Sequence, residues 1–230
     1  MAFFEAHFSN FIGSPDLPAD KAHRIIETGQ LVGGRHTGSP DVLGTYQLCS
    51  NVAGMRVVPQ AAGDLLAILQ RRHAQFMRAR PVQRPGQWQE HADQAGLISF
   101  VDTSPVRGTL HECFKLCRSL NESFARALFM IFMISEVHPF DDGNGRLARL
   151  MMNAELVSAG QYRIIITIHP RKGYLDALRQ LSRQSDPSLY ICLVSGARQF
   201  VSGLQPISCE SVKARLERQA AFTEVPSQLH

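Results

Sequence analysis

Lysine is nearly missing from this chain: Lys21, Lys115, Lys172 and Lys213 are the only four in 230 residues, so arginine supplies almost all of the 24 basic side chains. Arginine's planar fork suits bidentate phosphate contacts, but genome composition produces the same bias, so it decides nothing alone. Cysteines at metal or redox spacing are lacking too. The five cysteines (Cys49, Cys113, Cys117, Cys192 and Cys209) form no CxxC pair. An odd count without such a pair argues against a disulfide framework or a zinc site, and for a reducing compartment. Cys113 and Cys117, one helical turn apart, read as small core residues. The net charge of +4 is scattered rather than clustered, which argues against a nucleic-acid surface. No basic segment followed by an apolar run opens the chain, so no signal peptide is expected. The apolar run ALFMIFMI, 127–134, is far too short to span a bilayer. Internal repeats and low-complexity tracts are absent. The expectation is a soluble cytoplasmic protein without nucleic-acid or membrane partners.

What is present is a folded globular composition, 44% hydrophobic and 19% charged, in a chain long enough for one large domain or one with appendages. Helical periodicity dominates. Ile25, Ile26 and Leu31 make a short stripe over 19–31. Leu65, Leu66, Ile68, Leu69, His73 and Phe76 recur at helical spacing over 63–80, until RPVQRPGQW interrupts. LISFVDTSPV, 97–106, is apolar and β-branched before a turn, the best hairpin candidate. A helix over 109–119 follows. Asn121 is the expected N-cap of the next helix, through Val137, which is apolar nearly all round and so central and buried. Further helices are expected over 144–159, 172–184, 188–203 and 209–222. RIIITI, 163–168, reads as a short buried strand or an extended connector. The fold class is therefore mainly α, with one small β-hairpin.

The chemistry concentrates in HPFDDGNGRLAR, His138 to Arg149. A proline after His138 ends the central helix near Val137. Asp141, Asp142 and Gly143 then form a turn into a helix starting at about Asn144. A glycine-containing turn at a helix N-terminus points several backbone N–H groups at one place, with the helix dipole adding positive potential. Arg146 and Arg149, three apart, share a face and can both reach a polyphosphate. A triphosphate calls for a divalent cation, and Asp142, next to the glycine, suits Mg²⁺, which takes one or two carboxylates plus phosphates. His138 can take a proton from an incoming hydroxyl. Asp-Asp-Gly-Asn-Gly alone is an ordinary turn, and a histidine before proline an ordinary cap. Nothing structural requires base, carboxylate, anion hole and paired arginines in that order.

HPFDDGNGRLAR matches the signature of the Fic family, HPFx(D/E)GNGRxxR, at every specified position, and RPGQW, GLISFVDTSPVRGTL, MMNAEL and YLDAL also resemble that family's core. The resemblance implies a Fic-type helical bundle with a β-hairpin flap and an enzyme transferring AMP from ATP to a hydroxyl side chain of a protein, itself included. It implies His138 as general base and Asp142 as the Mg²⁺ ligand. Gly143, Asn144, Gly145 and Arg146 would cradle phosphates, and Arg149 would meet the γ-phosphate. Phe140 is implied to anchor the loop, and Tyr174, in YLDAL, is either an adenine-pocket residue or a core tyrosine. Ile98, Ser99, Phe100 and Val101 would be the flap edge on which a target protein docks by strand addition. On this reading 1–62 is an N-terminal helical segment, 63–205 the Fic core and 206–230 a helical extension.

The stretch 7–22 resembles the inhibitory helix that precedes the core in many Fic proteins, with the pattern (S/T)xxxE(G/N). Ser9 fits the first position, but Gly13 stands where the glutamate belongs and Ser14 follows it. The implied protein has lost its internal lock, naturally or by engineering, or is restrained by a separate antitoxin-like partner; a homo-oligomer is the other partner expected. Alternatives are a Fic variant using another donor or transferring another phosphate-linked moiety, and a catalytically idle nucleotide-binding module. The variants that transfer a phosphoryl group replace the first motif glycine by lysine; this chain keeps Gly143.

Overall fold

A computed structural model describes residues 1–13, 17–30, 39–89, 94–95, 98–99, 106–167, 171–204, 209–218 and 221. The elements are α1 (Ala2–Gly13), α2 (Ala19–Thr28), α3 (Ser39–Ser50), α4 (Val52–Met55), α5 (Ala62–Phe76), β1 (Gln94–Ala95), β2 (Ile98–Ser99), α6 (Val106–Ser119), α7 (Ser123–Val137), α8 (Asn144–Ser158), α9 (Arg171–Gln184), α10 (Ser188–Ser202) and α11 (Cys209–Arg218). The fold is mainly α, as its periodicity predicts. Among the described residues no helix is long and apolar enough to cross a membrane.

The centre is the pair α7 and α8, joined by the six residues 138–143. Met130, Ile131, Met133 and Ile134 of α7 and Leu147, Met151 and Ala154 of α8 are essentially sealed from solvent. Full burial of such side chains stabilises by about 1.5–3 kcal/mol each. The loop to α8 therefore leaves from a helix end packed in the core, where Val137 is buried.

Helix α1 is buried nearly all round. Phe4 and Phe8 pack with Val201, Leu204, Val212 and Leu216 near the C-terminus, while Ala6 packs with Ile25 and Val42. Its polar face lies on α8, where buried Glu5 accepts hydrogen bonds from Asn153 (2.9 Å) and Arg163 (2.7 Å). A charge this deep is tolerated because it is paired.

Several expectations need correction. The helix read over 63–80 ends at Phe76, and a 3-10 turn at Pro81–Gln83 follows. Glu122, not Asn121, occupies the N-cap of α7, with no side-chain cap bond. The carbonyl of Asn121 instead accepts from Arg126 Nη1 at 2.7 Å. The stretch 7–22 is not one helix: α1 stops at Gly13, and an extended Pro18 (φ −59°, ψ 151°) precedes α2. The expected hairpin reduces to a two-residue antiparallel pairing, Gln94 with Ser99 and Ala95 with Ile98. Among the described residues a flap-sized hairpin is not seen, and Phe100 and Val101 lie outside them. Of the two readings of RIIITI, the extended connector holds for its described part. Asn153 stands in for a strand partner, bonding both the N–H (2.8 Å) and the carbonyl (2.9 Å) of Ile164.

Candidate active site

The HPFDDGNGRLAR loop is pinned by its own sequence. His138 closes α7 in the left-handed region (φ 51°), its N–H donating to the Ile134 carbonyl at 3.1 Å. Pro139 follows and Phe140 is fully buried. The Asn144 side chain clamps the loop by accepting from Phe140 N–H (2.9 Å) and donating to its carbonyl (2.6 Å). That side chain is thereby turned into the loop, and Leu147 N–H makes the first helical bond, to Gly143 O at 2.9 Å. The backbone N–H groups of Asn144, Gly145 and Arg146 consequently have no intrahelical acceptor, which is the anion-binding arrangement of a helix N-terminus.

Gly143 has two reasons to be glycine. Its φ is 81°, and a Cβ there would meet the Phe76 ring at 2.9 Å and Met77 Sδ at 3.2 Å. Gly143→Ala is expected to destabilise the fold by about 1–3 kcal/mol, through backbone strain and overpacking. A thermal melt checks this, and an unchanged midpoint would show that Phe76 yields freely.

Charges around the turn are arranged as linked pairs. Asp141 faces away, held by Arg84 through both carboxylate oxygens at 2.7 and 2.9 Å. Asp142 Oδ1 accepts from Gly143 N–H (2.6 Å) and Arg146 (3.1 Å), and Oδ2 pairs with Arg80 at 2.7 Å. Burial would raise the Asp142 carboxyl, but Arg146, the Gly143 N–H and Arg80 hold it below the usual carboxylate range. Arg146 also bonds the fully buried Asp41 and lies over the Phe76 ring, 5.5 Å from its centroid. Arg149 donates Nε to Ser9 Oγ (3.1 Å) and Nη2 to the Ser9 carbonyl (2.7 Å). Its Nη1 turns toward Gly145 instead, 3.3 Å from where a Cβ would stand. Burial lowers the Arg149 pKa, and the neighbouring Tyr174 opposes that shift.

These groups share one cleft of about 440 Å³, whose lining includes His138, Asp142, Gly143, Arg146, Arg149 and Gly13. His138 is half-buried there. Tyr174 is sealed behind Arg149 and does not line the cleft, its hydroxyl lacking a hydrogen-bond partner among the described residues. Leu175, the next residue, lines it instead.

The sequence reading counted His73 only as part of a helical stripe. The structure gives it a larger part. Its ring stacks on Phe140 (4.0 Å, 6°), which also stacks on Trp88 (4.9 Å). Nδ1 accepts from Gly86 N–H at 2.8 Å, so Nε2, 2.9 Å from the Asp142 carbonyl, is the donor. This neutral tautomer fits a pKa lowered to about 4 by burial. Asp41, Arg80 and Arg84 were also missed. A helix start at Ser39-Pro40 is readable, but no local signal says that Asp41 meets an arginine 105 positions away.

Comparison with known proteins agrees with this geometry. Residues 63–156 match the Fic/DOC family model. A Protein adenylyltransferase Fic of Nematostella vectensis is 52% identical over 44 residues, 19% of this chain and 10% of the relative. One of Aedes aegypti is 42% identical over 55 residues, 24% of this chain and 11% of the relative. The matched stretches thus span about a tenth of the length of these curated relatives. In fold, the chain is similar to a Fic-domain-containing signaling protein from Bacteroides thetaiotaomicron, with TM-score 0.68 and 16% identity, covering 100% of this chain and 90% of the other. Fic-1 from C. elegans gives TM-score 0.67 and 19% identity, covering 93% and 62%. Signature and matched segment coincide on the same residues: residues 63–156 of the chain carry a Fic/DOC-family domain.

Proposed function

We propose that this chain transfers AMP from ATP to a hydroxyl side chain of a target protein, and to itself. The observation that carries the reading is the single cleft in which His138, Asp142, the N-terminus of α8, Arg146 and Arg149 meet. The curated relatives, named protein adenylyltransferases, support it at the level of the family.

On this reading the backbone N–H groups of 144–146 receive phosphate oxygens, and Arg146 and Arg149 Nη1 add charge at fixed positions. Both arginines are already held, by Asp41 and Ser9, so little ordering is left to do when the nucleotide arrives. The target hydroxyl oxygen bonds to the α-phosphorus while pyrophosphate leaves, and His138 takes the hydroxyl proton. The target would dock along Ile98, Ser99, Phe100 and Val101 by strand addition.

The residues fit Mg²⁺. The Asp142 side chain is 37% exposed into the cleft. Among the described residues no group of three or more His, Cys, Asp or Glu could hold a metal by itself. One carboxylate completed by nucleotide phosphates is Mg²⁺'s usual mode. Bound at Asp142, the ion would offset charge on the phosphates. Asp142→Ala is expected to weaken Mg²⁺-dependent nucleotide binding about tenfold or more, the scale of a lost charged ligand. Asp141→Ala should matter much less, since its carboxylate is spent on Arg84 outside the cleft. Calorimetric titration of both variants compares them; equal losses would move the metal ligand elsewhere.

The test of the function is label transfer. The purified chain is incubated with Mg²⁺ and either α-labelled or γ-labelled ATP. The α-label should become protein-bound and the γ-label should not. The reverse pattern would mean phosphoryl transfer, which Gly143 disfavours because the lysine of the phosphoryl-transferring variants would collide with Phe76.

A further inference from the structure

Asp142 has one oxygen that faces a competitor. Its Oδ1 is engaged by the Gly143 N–H and Arg146, which leaves Oδ2 as the oxygen for a cation in the cleft that Asp142 lines. Arg80 Nη1 lies 2.7 Å from that Oδ2. The same nitrogen donates to Asp41 Oδ2 at 2.8 Å. Arg80 follows α5 in a tight turn, its N–H bonded to the Met77 carbonyl at 2.8 Å, so its backbone is set while its side chain remains 26% exposed along the cleft wall. Arg80 lies outside the signature and nothing in HPFDDGNGRLAR foretells it.

Asp41 completes the device. It is fully buried and therefore cannot take solvent in place of a partner. Its Oδ2 serves both Arg80 and Arg146, while its Oδ1 has no hydrogen-bond partner among the described residues. A guanidinium that lets go of Asp142 thus has an acceptor waiting on the carboxylate it already touches. Turning to Oδ1 would change a single contact into a two-point fork, which is the stronger arrangement.

We propose that Arg80 is a further residue of the nucleotide site: it covers Asp142 Oδ2 in the cation-free cleft, withdraws onto Asp41 when a divalent cation arrives with nucleotide, and so sets the cation concentration that the site requires. The inference rests on the assignment of Asp142 as the cation ligand in the proposed function. A positive guanidinium within a few ångströms of the ligand oxygen opposes the cation both by occupying the oxygen and by like charge.

The test measures binding rather than transfer. Mn²⁺ is titrated into the full chain with a fixed non-hydrolysable ATP analogue, and bound Mn²⁺ is read by electron paramagnetic resonance. Arg80→Gln should lower the half-saturating Mn²⁺ roughly three- to tenfold, the size expected for losing one nearby screened charge. Arg80→Lys, which keeps the charge, should recover most of the parental requirement. In an Asp142→Asn background, Arg80→Gln should no longer shift it, because the two residues act through one contact. An unchanged or higher Mn²⁺ requirement in Arg80→Gln, with the melting curve intact, overturns the proposal. So does weaker analogue binding at an unchanged Mn²⁺ requirement, which would make Arg80 a phosphate ligand. If Arg80→Gln does not fold, Arg80→Lys decides: the proposal demands a near-parental requirement there, and a large shift overturns it. A chain that shows the Mn²⁺ shift but transfers no AMP would refute the proposed function and leave this inference standing. Failure to bind Mn²⁺ at all would overturn both.

Discussion

Replacing His138 should abolish measurable transfer while leaving nucleotide binding nearly intact. Loss of a general base costs about 10²–10⁴-fold in rate, equivalent to about 2.7–5.5 kcal/mol of barrier. Binding is spared because the phosphate contacts come from the start of α8, Arg146 and Arg149, and the two arginines are held by Asp41 and Ser9. The choice of substitution matters, since His138 sits at φ 51°. Alanine there adds about 1–2 kcal/mol of left-handed strain, whereas asparagine tolerates that region. Both variants should lose transfer, and His138→Asn should melt closer to the parent. The measurements are single-turnover incorporation of α-label and equilibrium binding of a non-hydrolysable ATP analogue. Near-parental incorporation in His138→Asn would remove the histidine from the mechanism.

Restoring a carboxylate at Gly13 is expected to shut the site. Gly13 is the last residue of α1, lines the cleft with Arg149, and has open space where a Cβ would stand. Ser9, one turn earlier on the same helix, already holds Arg149 through its hydroxyl and carbonyl. Positions four apart share a helix face, so a glutamate at 13 would point toward the same guanidinium. Its Nη1, which turns toward Gly145, is the group a γ-phosphate would otherwise use. A charge-assisted bond there contributes roughly 1.5–3 kcal/mol, against a cost of about 0.3–1 kcal/mol for a negative charge at a helix C-terminus. The remainder, about 0.5–2.7 kcal/mol, gives roughly a two- to hundredfold fall in apparent ATP affinity. Gly13→Gln controls for bulk. Self-modification rate and ATP affinity are compared for the three chains. Should Gly13→Glu modify itself as fast as the parent, α1 is not an inhibitory element and restraint comes from elsewhere.

Much of the site was legible because it is local. Within twelve residues, proline stops α7, glycine turns the chain and asparagine clamps the turn, so HPFDDGNGRLAR specifies its own loop. The major helices were legible for a similar reason: an amphipathic stripe, or an all-apolar run such as that in α7, must be buried at helical spacing. Helix α3 was not, because it lies among α1, α2 and α5 with apolar and polar residues on every side and leaves no stripe. Of the hairpin, the described residues show the pairing of Gln94 with Ser99 and of Ala95 with Ile98, where the apolar β-branched run announces extended backbone.

By itself, then, the sequence determined the helical class and the family signature, and it named His138, Asp142, Arg146 and Arg149 as the candidates for base, carboxylate and phosphate contacts. The tertiary structure alone decided how those groups are held. It put Asp41 between Arg80 and Arg146, Ser9 against Arg149, and His73 between Gly86 and the Asp142 carbonyl. These partners are far apart in sequence, Asp142 and His73 by 69 positions, Arg146 and Asp41 by 105, and Arg149 and Ser9 by 140. Pairs of that separation meet only because α1 and α5 pack on α8 and α3 packs on both α1 and α5, and a charge caught in that burial must find its partner there.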